Sequence, residues 1–296
     1  MEIGKTLKYL RTNKNFTKKA LATGIMSPSF YTRIENGDNS VTIELFLQLL
    51  QRLGVSFDEF KLIANDFQPY DSEKIMNNII DSFYAHDLEK LTAEEQKLED
   101  KYTDQQDDNP ILKSYILSAR LAISQIKNEL PSVKDTSELF NLLFSVGTWT
   151  HTELALFINT LDFFNLELIL LLSNKLLDYS KKYSTTEQYS DMFNAALVNL
   201  IVVFLDHRAL DEAAYFITLL KKQTIHPRNL YDRNMLLYLD GLRLIILEHE
   251  TEGLKKVTTA IEIFDTLGMS GRADMYRNDL EKNFNIIISA SKKNDL

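Results

Sequence analysis

The chain has 296 residues, which is too long for one small module and short for three ordinary domains, and 45% of them are hydrophobic. Only 9 Gly and 5 Pro are present, which argues against an all-β protein with many tight turns. The absence of Cys excludes disulfides, thiolate metal sites and a cysteine nucleophile. The 5 His residues lack HxH or HExxH spacing, so we expect no metal and no other cofactor.

The charge is divided unevenly along the chain. Residues 1–66 contain nine Lys and Arg against seven Asp and Glu, so they carry +2 of the formal net charge of −9 and leave −11 for residues 67–296. A basic N-terminal segment followed by an acidic remainder is typical of a protein whose N-terminal domain binds nucleic acid. Residues 1–66 are called the head below. No signal sequence and no apolar stretch of membrane-spanning length is present, so we expect a cytoplasmic protein with no membrane association.

Five short helices are predicted in residues 1–66. The first spans Gly4–Lys14 with Leu7 and Leu10 on one face, and Thr17 is the predicted N-cap of the second. The remaining three are a helix at Pro28–Asn36 with Ser27 as its N-cap, a helix from the N-cap Thr42 to Gly54, and a helix that follows Ser56.

The segments IGKTLKYLR, TKKALA, SPSFYTRIENG and LLQRLGVSFDEF resemble the helix-turn-helix domain of the Xre/Cro repressor superfamily. The resemblance implies three packing roles. The small Ala22 lets the third helix pack closely against the second, Ile34 of the third helix points into the core, and Arg11 pairs with Glu35. The turn TGIM is about one residue shorter than the usual turn of this superfamily. In this feature the chain resembles the Rgg (GadR/MutR) regulators of streptococci and their relatives.

The resemblance assigns a DNA-binding surface to the second and third helices. The third helix of this motif lies in the major groove, so Pro28, Ser29, Thr32 and Arg33 are expected to face bases. Arg33 is the best guanine contact, because its guanidinium can pair with two acceptors. Phosphate contacts are expected from other polar residues of this region: Lys14, Thr17, Lys18 and Asn36. The alternative for each residue is a solvated surface side chain.

Residues 67–296 are predicted to form helix pairs without strands. Similar helix pairs begin at Leu166, Ala209 and Thr251, at intervals of 43 and 42 residues. Each of two segments resembles half of a tetratricopeptide-like (TPR-like) unit: ALDEAAYFITLLKK and ETEGLKKVTTAIEIF. The sequence therefore predicts an all-α protein with two domains. Residues 1–66 form a five-helix helix-turn-helix domain, and residues 67–296 form a right-handed TPR-like solenoid with a concave face for extended peptides.

An Xre head followed by degenerate helical repeats resembles the Rgg architecture as a whole. The segment LFSVGTWTHTELALF also resembles the stretch where a Trp precedes a helix of the Rgg ligand groove. Peptide contacts are expected from these polar and aromatic residues: Asn159, Asp162, Tyr189, Asn199, Tyr231 and Arg233. Each Asn has the alternative of bonding a neighbouring helix. Rgg proteins that bind short hydrophobic pheromones often have Arg where this chain has Asp162. The identity of their pheromones therefore does not carry over to this chain, and one reading of the difference is a ligand without an acidic group at that point.

Two functions from different classes remain. The first is a homodimeric transcription regulator that binds double-stranded promoter DNA and senses a short intracellular signalling peptide, as in quorum sensing. The second is a protein–protein scaffold in which the repeats grip a protein and the head is a docking module. A last helix at Gly271–Ala290, with Phe284 and Ile286–Ile288, is a possible dimer interface. An enzyme is the weakest option, because no phosphate loop, Ser-His-Asp arrangement or metal-ligand spacing is present.

Overall fold

The computed structural model describes residues 2–68, 71–104, 109–183, 187–223 and 229–288, and within these ranges the chain is α-helical without strands. The predicted all-α fold class is confirmed. The chain divides into two compact units, Met1–Asp81 and Ser82–Leu296. The proposed domain boundary between residues 66 and 67 stays a prediction.

Five helices form the core of the first unit. Their bounds are α1 Ile3–Asn13, α2 Lys18–Ala22, α3 Pro28–Asn36, α4 Ile43–Leu53 and α5 Phe57–Ala64. Each contributes buried apolar side chains to one cluster, including Leu7, Leu21, Ile34, Leu49 and Phe60. Burial of these side chains is the main favourable contribution to the stability of the head.

Side-chain caps fix where these helices begin. Thr17 accepts a hydrogen bond from the Ala20 amide at 3.0 Å, and Ser27 accepts one from the Phe30 amide at 3.2 Å. Ser56 and Glu59 form a reciprocal capping box. The predicted caps are confirmed, because capping depends on residues within one helical turn.

The second unit continues as a series of antiparallel helices. Their bounds, starting with α6, which spans the division between the units, are α6 Asp71–Tyr84, α7 Leu88–Asp104, α8 Pro110–Ile126, α9 Val133–Ser145, α10 His151–Thr160, α11 Leu166–Tyr183, α12 Glu187–Asp206, α13 Leu210–Gln223, α14 Leu230–Ile246, α15 Glu250–Thr266 and α16 Ser270–Phe284. A short 3₁₀ helix, Leu161–Phe163, follows α10.

The helices from α10 onward lie in two layers. The even-numbered helices form one layer, called the even layer, and the odd-numbered helices form the other, called the odd layer. In the even layer α10 contacts α12 and α12 contacts α14, whereas in the odd layer α13 scarcely contacts α11 or α15. Hydrogen bonds join even helices about one repeat apart, as between Tyr238 and Asp279, which are 41 residues apart. From α10 to α14 neighbouring helices are closer in the even layer, so this part of the array curves toward it. The outer face of the even helices is therefore the concave face.

Two details differ from the sequence prediction. The spacing of Thr92 and Glu95 matches a capping box, but Thr92 lies inside α7, whose first turn is capped by Asp87 through the Lys90 amide at 3.1 Å. The last helix was expected to reach Ala290, but α16 ends at Phe284, where Asn285 adopts a left-handed conformation with φ of 56°. Ile286–Ile288 thus follow the helix instead of extending it.

Candidate functional site

The second and third helices present a polar surface at the N-terminal end of α3. Ser27 caps the helix and lies 3.2 Å from the hydroxyl of Ser29, and Pro28 occupies its first turn. Pro28, Ser29 and Arg33 are exposed, while Thr32 is half-buried and donates a hydrogen bond to the Pro28 carbonyl at 2.9 Å. The residues predicted to face bases therefore lie on one helix, with Arg33 open to solvent.

A buried carboxylate ties this helix to the rest of the head. Arg11 of α1 binds Glu35 of α3 with an Nε–Oε1 distance of 2.6 Å, and the Glu35 side chain is fully buried. Burial alone raises the pKa of Glu35, but the hydrogen bonds and positive charges of its partners outweigh burial and lower it. Glu35 is therefore ionised at neutral pH and fixes the orientation of α3.

The predicted phosphate-contacting residues surround this helix. Lys14 and Asn36 are exposed, and Thr17 is exposed at the N-cap of α2. Lys18 is half-buried and lies 3.5 Å from Glu35, so its ammonium group already has an acidic partner within the head.

The concave face is centred on one stripe of α12. Residues at helical spacing along this helix remain at least partly accessible: Asp191, Ala195, Val198, Asn199, Val202 and Asp206. The centre of the stripe is apolar apart from Asn199, and each end carries a carboxylate. An apolar surface with one amide suits a bound peptide, because the amide can both donate to and accept from a main chain.

The two predicted amide residues have partners of their own. Asn199 donates a hydrogen bond across to the Ile158 carbonyl of α10 at 3.4 Å, which is long for such a bond. Asn159 is exposed and donates to the Ala155 carbonyl of its own helix at 2.7 Å. The bond from Asn199 brings the two amides to the same part of the concave face.

Asp206 at the end of α12 lies within electrostatic range of two other carboxylates, Asp162 of the 3₁₀ helix and Asp279 of α16. The surrounding protein desolvates Asp162 and raises its pKa, although its side chain is exposed, as expected for a residue in a concavity. Partial burial raises the pKa of Asp206, and Asp279 and Asp162 raise it further against the opposing charge of His207. The concave face therefore has a negative potential near the end of α12.

The remaining predicted peptide contacts lie elsewhere. The Tyr231 ring packs 6.0 Å from that of Phe264 and lies under the Arg272 guanidinium at 5.9 Å, on the side of α14 that meets α15 and α16. Arg233 faces a different cavity, between α13 and α15. Tyr189 lies in the first turn of α12, and its side chain is outside the described residues.

The sequence missed Val202 and Asp206 as groove residues. The run from Ala195 to Leu205 is apolar around the whole helix, so the sequence contains no periodic signal for which side is open. Asp206 directly follows that run, and as a charged residue it was the one indication of which side of α12 is exposed.

Trp149 fixes the start of α10. Its ring is buried against Phe157, with centroids 5.1 Å apart, and its Nε1 donates to the Leu143 carbonyl at 3.0 Å. Glu153 then accepts a hydrogen bond from the Thr150 amide at 2.7 Å. These contacts hold the helix that carries Asn159 in place.

Family models cover both units. The model described as HTH-type transcriptional regulator Rgg, C-terminal domain, matches residues 71–278, and a helix-turn-helix model matches residues 7–60. The chain belongs to the Rgg family. It is thus an HTH-type transcriptional regulator rather than an enzyme, as the sequence predicted.

Solved structures share the fold of this Rgg protein. A protein of Listeria monocytogenes EGD-e assigned as a transcriptional regulator is 22% identical, with a TM-score of 0.84 over 95% of this chain and 97% of that one. The SHP pheromone receptor Rgg2 of Streptococcus dysgalactiae is 23% identical, with a TM-score of 0.78 over 95% and 99%. PrgX in complex with cCF10 is 21% identical, with a TM-score of 0.72 over 96% and 100%.

The described residues contain neither a candidate membrane span nor a candidate metal cluster. Among the described helices, none has the length and apolar character needed to cross a lipid bilayer. In the same part of the chain, no group of three His, Asp or Glu side chains is placed to hold a metal ion.

Proposed function

We propose that this Rgg protein is a cytoplasmic, homodimeric regulator that binds promoter DNA through α3 and is controlled by a short peptide on the concave face of α12. The single observation that carries the proposal is the exposed stripe on α12, where Asn199 interrupts an otherwise apolar centre in an Rgg-family repeat domain. Two solved relatives are described as a pheromone receptor and as a complex with cCF10, which supports a peptide as the ligand.

On the DNA side, α3 enters the major groove with Arg33 donating to a guanine. Ser29 and Thr32 hydrogen-bond bases or phosphates, and Pro28 makes only apolar contact. Lys14, Thr17, Lys18 and Asn36 contact phosphates and set the register of the head. Two heads are needed to reach half-sites about one helical turn apart, which is why we propose a homodimer.

On the peptide side, the apolar stripe packs against apolar side chains while Asn199 and Asn159 bond the peptide main chain. Tyr189 in the first turn of α12, and Tyr231 and Arg233 in the first turn of α14, complete the proposed peptide set. The carboxylates of Asp162, Asp206 and Asp279 repel an acidic ligand, so the peptide carries a neutral or basic residue at that point. Peptide binding controls the head only through different affinities for two states of the protein.

The DNA proposal is tested with an Arg33→Ala variant in a gel-shift assay on promoters that flank the gene. Loss of one bidentate base contact costs about 1–3 kcal/mol of binding free energy, or roughly fivefold to 150-fold in affinity. Lys8→Ala is the matched control, because it removes one exposed positive charge from α1 outside the proposed surface. Equal losses in the two variants would show that Arg33 contributes only charge, and absence of any specific promoter site would contradict the regulator.

The peptide proposal is tested by calorimetric titration of apolar octapeptides that differ at one position, with Lys, Gln or Glu. We expect binding of the Lys and Gln peptides to exceed that of the Glu peptide, and Asp162→Arg to reverse the order. Asn199→Ala should weaken all of them, whereas Asn174→Ala on the odd helix α11, which also donates to a backbone carbonyl, should not. A Glu peptide that binds wild type best would contradict the assignment.

A further inference from the structure

The turn between α2 and α3 is held by a residue that lies outside both helices. Arg52, in the last turn of α4, donates hydrogen bonds through Nη1 to the backbone carbonyls of Leu21, at 2.9 Å, and of Thr23. Leu21 belongs to the last turn of α2, and Thr23 is the C-cap of that helix. These partners are 31 and 29 residues from Arg52 along the chain, so the two bonds connect the end of α2 to a distant helix.

The end of α2 depends on such contacts because the helix is very short. It has five residues, and an isolated helix of that length is not stable in water. Inside the turn, the amides of Ile25 and Met26 both donate to the carbonyl of Ala22 at 2.9 Å. The Arg52 guanidinium adds donors for two neighbouring carbonyls, which the end of a helix leaves without amide partners.

The helix that carries Arg52 is fixed in the core of the head. Leu49, Leu50 and Leu53, around the turn that carries Arg52, are buried in the apolar cluster. Among the residues that the structure describes, Arg52 forms no ion pair with a carboxylate, so its positive charge acts on the carbonyl dipoles at the C-terminal end of α2. A cation at this end of a helix is stabilising, and a charged donor strengthens a hydrogen bond.

We propose that Arg52 is a positioning residue for DNA recognition, which fixes the turn before α3 and thereby the orientation of Ser29 and Arg33 towards the bases. This rests on the proposed function, in which α3 lies in the major groove. Arg52 itself contacts no DNA. Phosphate contacts depend mainly on charge, whereas base contacts need close alignment of donors and acceptors. Loss of Arg52 therefore lowers sequence discrimination more than it lowers binding to DNA of any sequence.

The first measurement is hydrogen exchange in the full chain without DNA, so it is independent of the proposed function. Arg52→Met removes the donors but keeps an unbranched side chain, and mass spectrometry follows peptides covering residues 21–27. We expect the amides of Ile25 and Met26 to exchange about fivefold faster, which corresponds to the loss of one ordinary hydrogen bond. Peptides from α4 should keep their wild-type rates. Wild-type exchange in residues 21–27 would overturn the proposal.

The second measurement compares gel shifts on a promoter site and on unrelated DNA of equal length. Lys8→Met is the matched control, because it also removes one exposed positive charge from the head. Arg52→Met should lower the ratio of specific to non-specific affinity by about tenfold, whereas Lys8→Met should leave it within about twofold of wild type. A variant that only loses stability lowers both affinities by the same factor, so an unchanged ratio in Arg52→Met would overturn the proposal.

Salt dependence separates positioning from a direct phosphate contact. If Arg52 bound a phosphate, Arg52→Met would reduce the slope of log affinity against log salt by about one on both DNAs, which would overturn the proposal. Arg52→Lys keeps the charge and donor groups, so its affinity ratio should lie between those of wild type and Arg52→Met. Circular dichroism checks that the variants are folded. Absence of a specific site for the wild-type chain would contradict the proposed function, and with it the role in recognition, whereas an unchanged ratio overturns only the role of Arg52.

Discussion

The closest approach of α14 and α15 depends on two glycines, Gly241 and Gly253. A Cβ added at Gly253 would lie 2.7 Å from the Gly241 carbonyl oxygen and 2.9 Å from the backbone nitrogen of Ile245. Backbone atoms cannot rotate away as a flexible side chain can, so the two helices must separate. We therefore predict that Gly253→Ala destabilises the second unit.

The magnitude follows from two opposing effects. Overpacking costs about 1–3 kcal/mol, and replacing Gly by Ala within a helix returns roughly 0.5–1 kcal/mol. With the middle of each range, the net loss is about 1.2 kcal/mol, which for a unit of this size lowers the thermal midpoint by about 2–5 °C. The assay is thermal unfolding of the full chain, followed by the fluorescence of Trp149, whose ring is buried in the second unit.

Gly271→Ala is the matched control. Gly271 lies in the first turn of α16, and a Cβ at this position would have no neighbour within 4 Å. This variant should be unchanged or up to about 1 kcal/mol more stable, because only the helix-propensity gain applies. The reasoning is refuted if Gly253→Ala is as stable as wild type, or if both substitutions lower the midpoint equally.

Three further predictions concern the head and the concave face. Gly4→Ala should unfold the head, because its Cβ would overlap the carbonyl oxygen of Ile34. A lower helix content by far-UV circular dichroism and loss of the gel shift would detect this, whereas a wild-type spectrum and gel shift would contradict it. Glu35→Gln should cost the head about 3 kcal/mol at pH 7 in urea unfolding. Because the pKa of Glu35 is lowered by folding, that difference should vanish as the pH falls below the ordinary value of 4.5 and through the folded pKa; a constant difference would exclude the ion pair as its cause. Asp206→Asn should raise the thermal midpoint at pH 8 but not at pH 4, because the raised pKa of Asp206 means that its ionisation destabilises the fold as the pH rises; a gain at both pH values would point to packing instead.

The caps of the head could be predicted because each depends on a few adjacent residues. The same reasoning failed at Thr92 and Glu95, where the pattern matches a capping box but Asp87 caps the helix five residues earlier. The apolar pattern likewise predicts a helix from Ser137, but α9 begins earlier, at Val133. Ser132 caps that helix through the Asp135 amide at 3.2 Å. Local patterns identify a possible cap, and packing decides which one is used.

The candidate peptide site was only partly predictable for a different reason. Tyr231 and Arg233 are two residues apart on α14 and point to different sides of it, although the resemblance placed ligand contacts near both. On α12, the exposed side is set by which helices pack around it. A helix that is apolar on all sides has no periodicity from which that side could be predicted. Asn199 could be identified because a lone amide in such a run is conspicuous.

The ion pair between Lys18 and Glu35 bears on how salt affects the proposed DNA complex. A lysine exposed to solvent, such as Lys14, exchanges DNA phosphate for dissolved ions, and the resulting displacement of ions makes affinity fall steeply with ionic strength. Lys18 already has a carboxylate 3.5 Å away as a built-in counterion. It can turn to a phosphate while Glu35 retains Arg11, so Lys18 adds less to the salt dependence of binding than Lys14 does.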